Sequence, residues 1–283
     1  MLQGLLLFLG TSAGSVWMYL RRRTAAERET AKFLERAGLP FEPELIAATQ
    51  ARFEQRQQAF ALGSVAGSIP GTAAFIWLDA GPTALAWWAA FLVAGIGLGV
   101  CALYGAVVRA GRADGPRTAA LRQRRLVDFL SPTQVVLQYG FLLLPAITAV
   151  LGIRILIDGN RTGWGWGLIA AAVGAVLLVV GAAALQRWVI QVNQPAGQVV
   201  ELRWGEAMRS VMLRDLAAVM VGASWALGGC TVMFAVTDRP DDFPAFMEPV
   251  AYSVFLVSTL VFIWMSGAAS TGRTLRRSQQ VIQ

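Results

Sequence analysis

Histidine is absent from the 283 residues, and that absence closes off a good deal of chemistry. A Ser-His-Asp triad has no base, and a metal site has no imidazole ligand. Cysteine is scarce as well, occurring only at Cys101 and Cys230. Both fall inside apolar runs, at depths that differ by roughly 10 Å when about 1.5 Å is counted per helical residue. A disulfide needs Cα atoms within about 7 Å, so two free, packed thiols are expected, with no disulfide framework and no zinc-ligand spacing. Charge is also thin. Asp, Glu, Lys and Arg make up 14% of the chain, against roughly 25% in a soluble domain. No GxxxxGK[ST] phosphate loop occurs, which excludes nucleotide binding of that kind. Gly222, Ser224 and Ala226 faintly echo a nucleophile elbow, but they lie in a continuous apolar stretch with no base. Neither a catalytic site nor a cofactor nor a bound metal is expected.

What the chain does have is apolar length. Hydrophobic residues reach 56% and mean hydropathy is +0.55. They are gathered in runs of about twenty, enough to cross a hydrocarbon core of about 30 Å. The runs do not alternate in polarity as barrel strands do, and a helix satisfies its own backbone in lipid. The fold class expected is all-α: a polytopic transmembrane helical bundle in one integral membrane domain, residues 1–283. About seven spans are predicted, at Leu2–Leu20, Ala59–Leu78, Ala84–Val108, Val135–Leu156, Gly163–Leu185, Ala217–Val236 and Pro249–Ala268. Organised this way, the chain is one helix followed by three hairpins. The intervening segments 21–58, 109–134 and 186–216 hint at a repeated unit of amphipathic helix plus hairpin. However, Ala51–Ser68 and Ala207–Ser224 share only a few identities.

Orientation follows from the arginines. Arg21, Arg22 and Arg23 follow the first apolar run instead of preceding it, unlike a secretory signal. The segments placed inside hold 8, 6, 4 and 3 basic residues, 21 of the 24, leaving Arg154, Arg161 and Arg239 outside. Positive-inside asymmetry then sets the N-terminus outside and the C-terminus in the cytoplasm of a plasma-membrane protein. Tryptophans agree with the boundaries. Trp77, Trp87, Trp88, Trp164 and Trp166 lie at outer edges, and Trp17, Trp188 and Trp264 at inner ones. The net charge of +7 is accounted for by topology and needs no nucleic acid partner.

The inner segments read as helices. Thr24 with Glu27 forms a capping box before Ala25–Arg36, and Gly38–Pro40 ends that helix. Pro43 suits the first turn of a helix able to run unbroken into the second span. In Val200–Leu216, Val200, Trp204, Met208, Val211 and Met212 share a face, as in a helix lying flat on the inner leaflet. Trp204 and Met208 are therefore candidate contacts for a partner or the membrane surface, and the basic cluster Arg122, Arg124 and Arg125 is a candidate headgroup contact.

Within the spans, Gly63, Gly67 and Gly71 make a double GxxxG whose small residues let helices approach, within the bundle or in a homo-oligomer. Pro70 and Pro145 are expected to kink their helices. No span carries an ionisable residue near its centre, which argues against a proton-coupled transporter of the usual kind. The outer acidic run Asp238, Asp241, Asp242 and Glu248 reads as a solvated loop, with a divalent cation site as its alternative.

Two functional readings remain. One is a membrane scaffold or regulatory subunit that binds a protein partner at the cytoplasmic face. The other is a permease-like subunit or uncoupled channel. The orientation itself makes a prediction: green fluorescent protein fused after Gln283 is expected to fluoresce, and alkaline phosphatase at the same point to be inactive. The reverse pattern overturns the topology.

Overall fold

The computed structural model describes residues 2–77, 82–110, 125–158, 162–192 and 199–229, together with isolated positions between 249 and 263. Among these residues there is no strand. Eight α-helices follow one another: α1 Leu2–Leu20, α2 Arg22–Ala37, α3 Pro43–Trp77, α4 Pro82–Ala110, α5 Pro132–Gly140, α6 Leu143–Asp158, α7 Thr162–Gln191 and α8 Val199–Ser224. A π-helical turn, Trp225–Gly229, continues α8. Four stretches are long and apolar enough to cross a membrane: Trp88–Val108, Pro132–Ile157, Gly165–Gln191 and Val200–Gly229. The outward side chains of the first three, among them Leu98, Leu143, Val150 and Leu177, are exposed apolar groups, a surface suited to lipid and costly in water. Most of the seventh predicted span, the whole acidic run and Cys230 lie outside the described residues, while Cys101 is a free thiol.

The local causes are legible helix by helix. α2 ends where predicted, at Gly38 in the left-handed conformation (φ 58°), whose N–H bonds back to the Leu34 carbonyl. Its start differs from expectation. The helix begins at Arg22, only one residue after α1, so Thr24 lies inside it and the predicted capping box is not used. α3 does run unbroken from Pro43, for 35 residues or ~52 Å, through Pro70. The fourth predicted span is two helices instead of one. Pro145 has no N–H to give and its ring crowds the carbonyl four residues back, at Phe141. There the chain breaks, tightened by short bonds from Leu144 N–H to Phe141 O and from Leu142 N–H to Tyr139 O.

The largest departure from the sequence reading concerns 200–216. This segment does not lie flat on a surface. It is the first half of α8, continuous with the sixth predicted span, and an 18-residue apolar stretch within Val200–Gly229 is 83% buried, against 28–39% for the equivalent stretches of the other three. α8 is the central post of the bundle, packed on α4, α5 and α7. Trp204 and Met208 are inside the protein, 3% and 6% exposed. With Val211 they form a cluster with Phe33 of α2 and Phe53 of α3. Phe33 and Phe53 meet edge-to-face at 5.8 Å. Thus α2 and the first halves of α3 and α8 make a compact helical layer at one end of the bundle.

Close backbone approach joins α3 to α4. A Cβ built at Gly63 would stand 2.5 Å from the Gly95 carbonyl oxygen and 2.8 Å from Ile96 Cα; at Gly67 it would meet the Phe91 carbonyl, and at Gly71 it would stand 3.0 Å from the Trp88 oxygen. The GxxxG stripe is therefore spent within the chain. A similar approach joins α6 and α7, where Gly152 faces Gly165. Gly67→Leu should destabilise the bundle by at least about 1–3 kcal/mol through overpacking, read as a lower midpoint of thermal unfolding in detergent. Gly10→Leu and Gly14→Leu, with open space around both glycines, should leave that midpoint unchanged.

Candidate functional site

Where the layer meets the rest of the bundle, α3 and α4 converge on one carboxylate of α8, and α2 joins through Arg56. Asp215 on α8 is 6% exposed. Arg56 of α3 approaches it side-on: Nη2 donates to Oδ1 at 3.0 Å, and Nε lies 2.6 Å from Oδ2. The Nε contact is one of charge, not an aligned hydrogen bond. The Tyr104 hydroxyl of α4 donates to Oδ2 at 2.5 Å, within the range of a charge-assisted bond to an ionised acid. Arg214 stands 3.8 Å from Oδ1. On its other side Arg56 donates from Nη1 to Glu29 of α2 at 2.9 Å, and Gln57 donates to the second Glu29 oxygen at 3.0 Å.

Two guanidiniums thus face two carboxylates, so the cluster is neutral as a whole. Burial works against the Arg56 charge, yet Asp215, Tyr104 and Glu29 outweigh it and raise its pKa above the ordinary arginine value. Each Asp215 oxygen accepts one hydrogen bond, and two further cationic contacts surround the carboxylate. The geometry is that of a joint between helices. Further pairs surround it. Arg22 reaches Glu54 at 3.0 Å. Arg209 bonds Glu206 at 3.1 Å and the Val192 carbonyl at the end of α7 at 2.7 Å.

A second polar group lies among α5, α7 and α8. Gln186 Nε2 donates to Gln138 Oε1 and to the Leu213 carbonyl, each at 3.2 Å. Farther along α8, the π turn presses on the α5–α6 break. A Cβ at Gly228 would lie 2.8 Å from Leu144 C and Pro145 N, and the Thr148 hydroxyl is 3.1 Å from the Gly228 carbonyl.

Of the residues singled out from sequence, Gly63, Gly67 and Gly71 come together with α4, and Trp204 and Met208 are core. Arg125 is exposed, its N–H donating to Asp128, while Arg122 and Arg124 lie outside the described residues. Sequence reasoning singled out none of Arg56, Glu29 and Asp215. One signal was present: no proline interrupts 199–229, so the amphipathic run and the apolar run form one helix, with Asp215 two residues short of the predicted span.

Leaving either charge of this joint alone should cost about 3–5 kcal/mol. Asp215→Leu is expected to lower the unfolding midpoint sharply, and Arg56→Met combined with Asp215→Leu to recover a good part of the loss. A double variant no more stable than the single one would show that the two groups are not coupled. No family model, no curated protein and no solved structure matches the chain.

Proposed function

We propose that this chain is a seven-span protein of the plasma membrane, N-terminus outside and C-terminus in the cytoplasm, that serves as a non-enzymatic scaffold or regulatory subunit. Its helical layer stands on the cytoplasmic side and holds a protein partner. One observation carries the reading: α3 and α8 each pass without a break from the layer into the apolar bundle, and Arg56–Asp215 ties them where they do so. Occupancy of the layer is therefore transmitted to the bundle through continuous helices instead of a loose loop. The partner surface is not the Trp204–Met208 face, which the chain itself covers. The outer side of the layer offers Phe41, 79% exposed in the turn between α2 and α3 and flanked by Pro40 and Pro43. Such a rigid exposed aromatic suits a hot spot.

Extraction in mild detergent followed by mass spectrometry should recover one partner in fixed ratio. Phe41→Glu should lower its recovery at least about tenfold, since truncated hot spots cost about 2 kcal/mol or more. Recovery of the chain with no stoichiometric partner overturns the scaffold reading.

A second reading, a permease-like subunit or uncoupled channel, draws on the junction of the π turn with the proline break. Irregular backbone within a bilayer occurs where protein or a water-filled path receives it, and broken helices mark many transport sites. Solute flux into liposomes holding the purified chain, altered by Thr148→Val, would favour this reading.

A further inference from the structure

Between α3, α4, α7 and α8 lies a cavity of about 290 Å³ whose chemistry the ionic joint does not use. Its walls are mostly apolar, including Val108, Val192 and Met212, while Thr49, Arg52 and Arg209 supply polar groups. All four helices contribute residues at or beyond the inner ends of the predicted spans: 45–52, 107–108, 189–192 and 201–212. That level is the headgroup region in the membrane placement proposed above, on which this inference rests.

The two arginines differ. Arg209 is matched by Glu206 at 3.1 Å. Arg52 pairs with no carboxylate among the described residues, although Glu201 also lines the cavity. Arg52 is exposed, and partial desolvation by the surrounding protein lowers its pKa below that of a free guanidinium. The Thr49 hydroxyl likewise has no hydrogen-bond partner among the described residues. An unmatched guanidinium and a hydroxyl on an apolar wall complement a singly charged phosphodiester that carries hydrocarbon.

We propose that the cavity seats the phosphate of an anionic phospholipid, with Arg52 meeting the charge, Thr49 donating to an oxygen and the valine-lined wall receiving the glycerol and upper acyl carbons. The site is separate from the partner surface and would fix the layer against the leaflet.

The test uses the full chain purified in mild detergent, with bound lipid quantified by native mass spectrometry after addition of phosphatidylglycerol or phosphatidylcholine. One retained phosphatidylglycerol per chain is expected, with phosphatidylcholine retained at least about tenfold less. R52Q should weaken retention about tenfold, as fits the loss of one charge-assisted bond, and R52K should keep most of it. A48W, which fills the cavity and leaves the arginine in place, should abolish it. Equal retention of the two lipids, or retention unchanged in both R52Q and A48W, overturns the proposal. Inorganic phosphate displacing the lipid at millimolar concentration would assign the site to a free anion and overturn the lipid. Recovery of the chain in the soluble fraction without detergent would instead remove the membrane placement itself, which the lipid measurement does not address.

Discussion

Burying a charge without a partner costs several kcal/mol, and the arrangement around Asp215 is organised by that penalty. Asp215 is tolerable inside α8 only because Arg56 covers it side-on and Tyr104 fills the remaining direction. Arg56 is in turn tolerable because Glu29 takes its far side. Each of these groups comes from a different helix, so the electrostatic requirement fixes the relative register of α2, α3, α4 and α8 together. Apolar packing is not directional and would accept a slip of one turn. A buried ion pair tied by directional hydrogen bonds would not.

Around that fixed point the helices contact one another in two different ways. α3 and α4 touch backbone to backbone along Gly63, Gly67 and Gly95, which leaves little room for sliding. α8 touches α6 through the π turn and the proline break, where neither helix has its regular hydrogen-bond ladder. The rigid seam lies on the α3 side of the post and the irregular one on the α6 side. Any relative movement within the bundle is easiest across the second.

Much of the fold was readable because helix formation in apolar surroundings is a local matter. The ends of α1, the stop at Gly38, the unbroken α3 and the packing role of the glycine stripe all follow from residues close in sequence. What escaped the reading was long-range. Trp204 and Met208 form a face whether that face meets lipid or Phe33 and Phe53, and periodicity alone cannot tell the two apart. Arg56 and Asp215 are 159 positions apart; each looks like an ordinary charge at the edge of a span until both are placed. The break at Phe141 was anticipated as a kink because Pro145 gave the cause but not its extent, which depends on the π turn that packs against it.

The same 159-residue separation bears on biosynthesis. At about 5–20 residues per second, Arg56 is synthesised roughly 8–30 s before Asp215. Glu29 has been made by then, only 27 positions earlier. Of the two carboxylates that Arg56 bonds in the finished fold, Glu29 is thus the one already present before α8 is made.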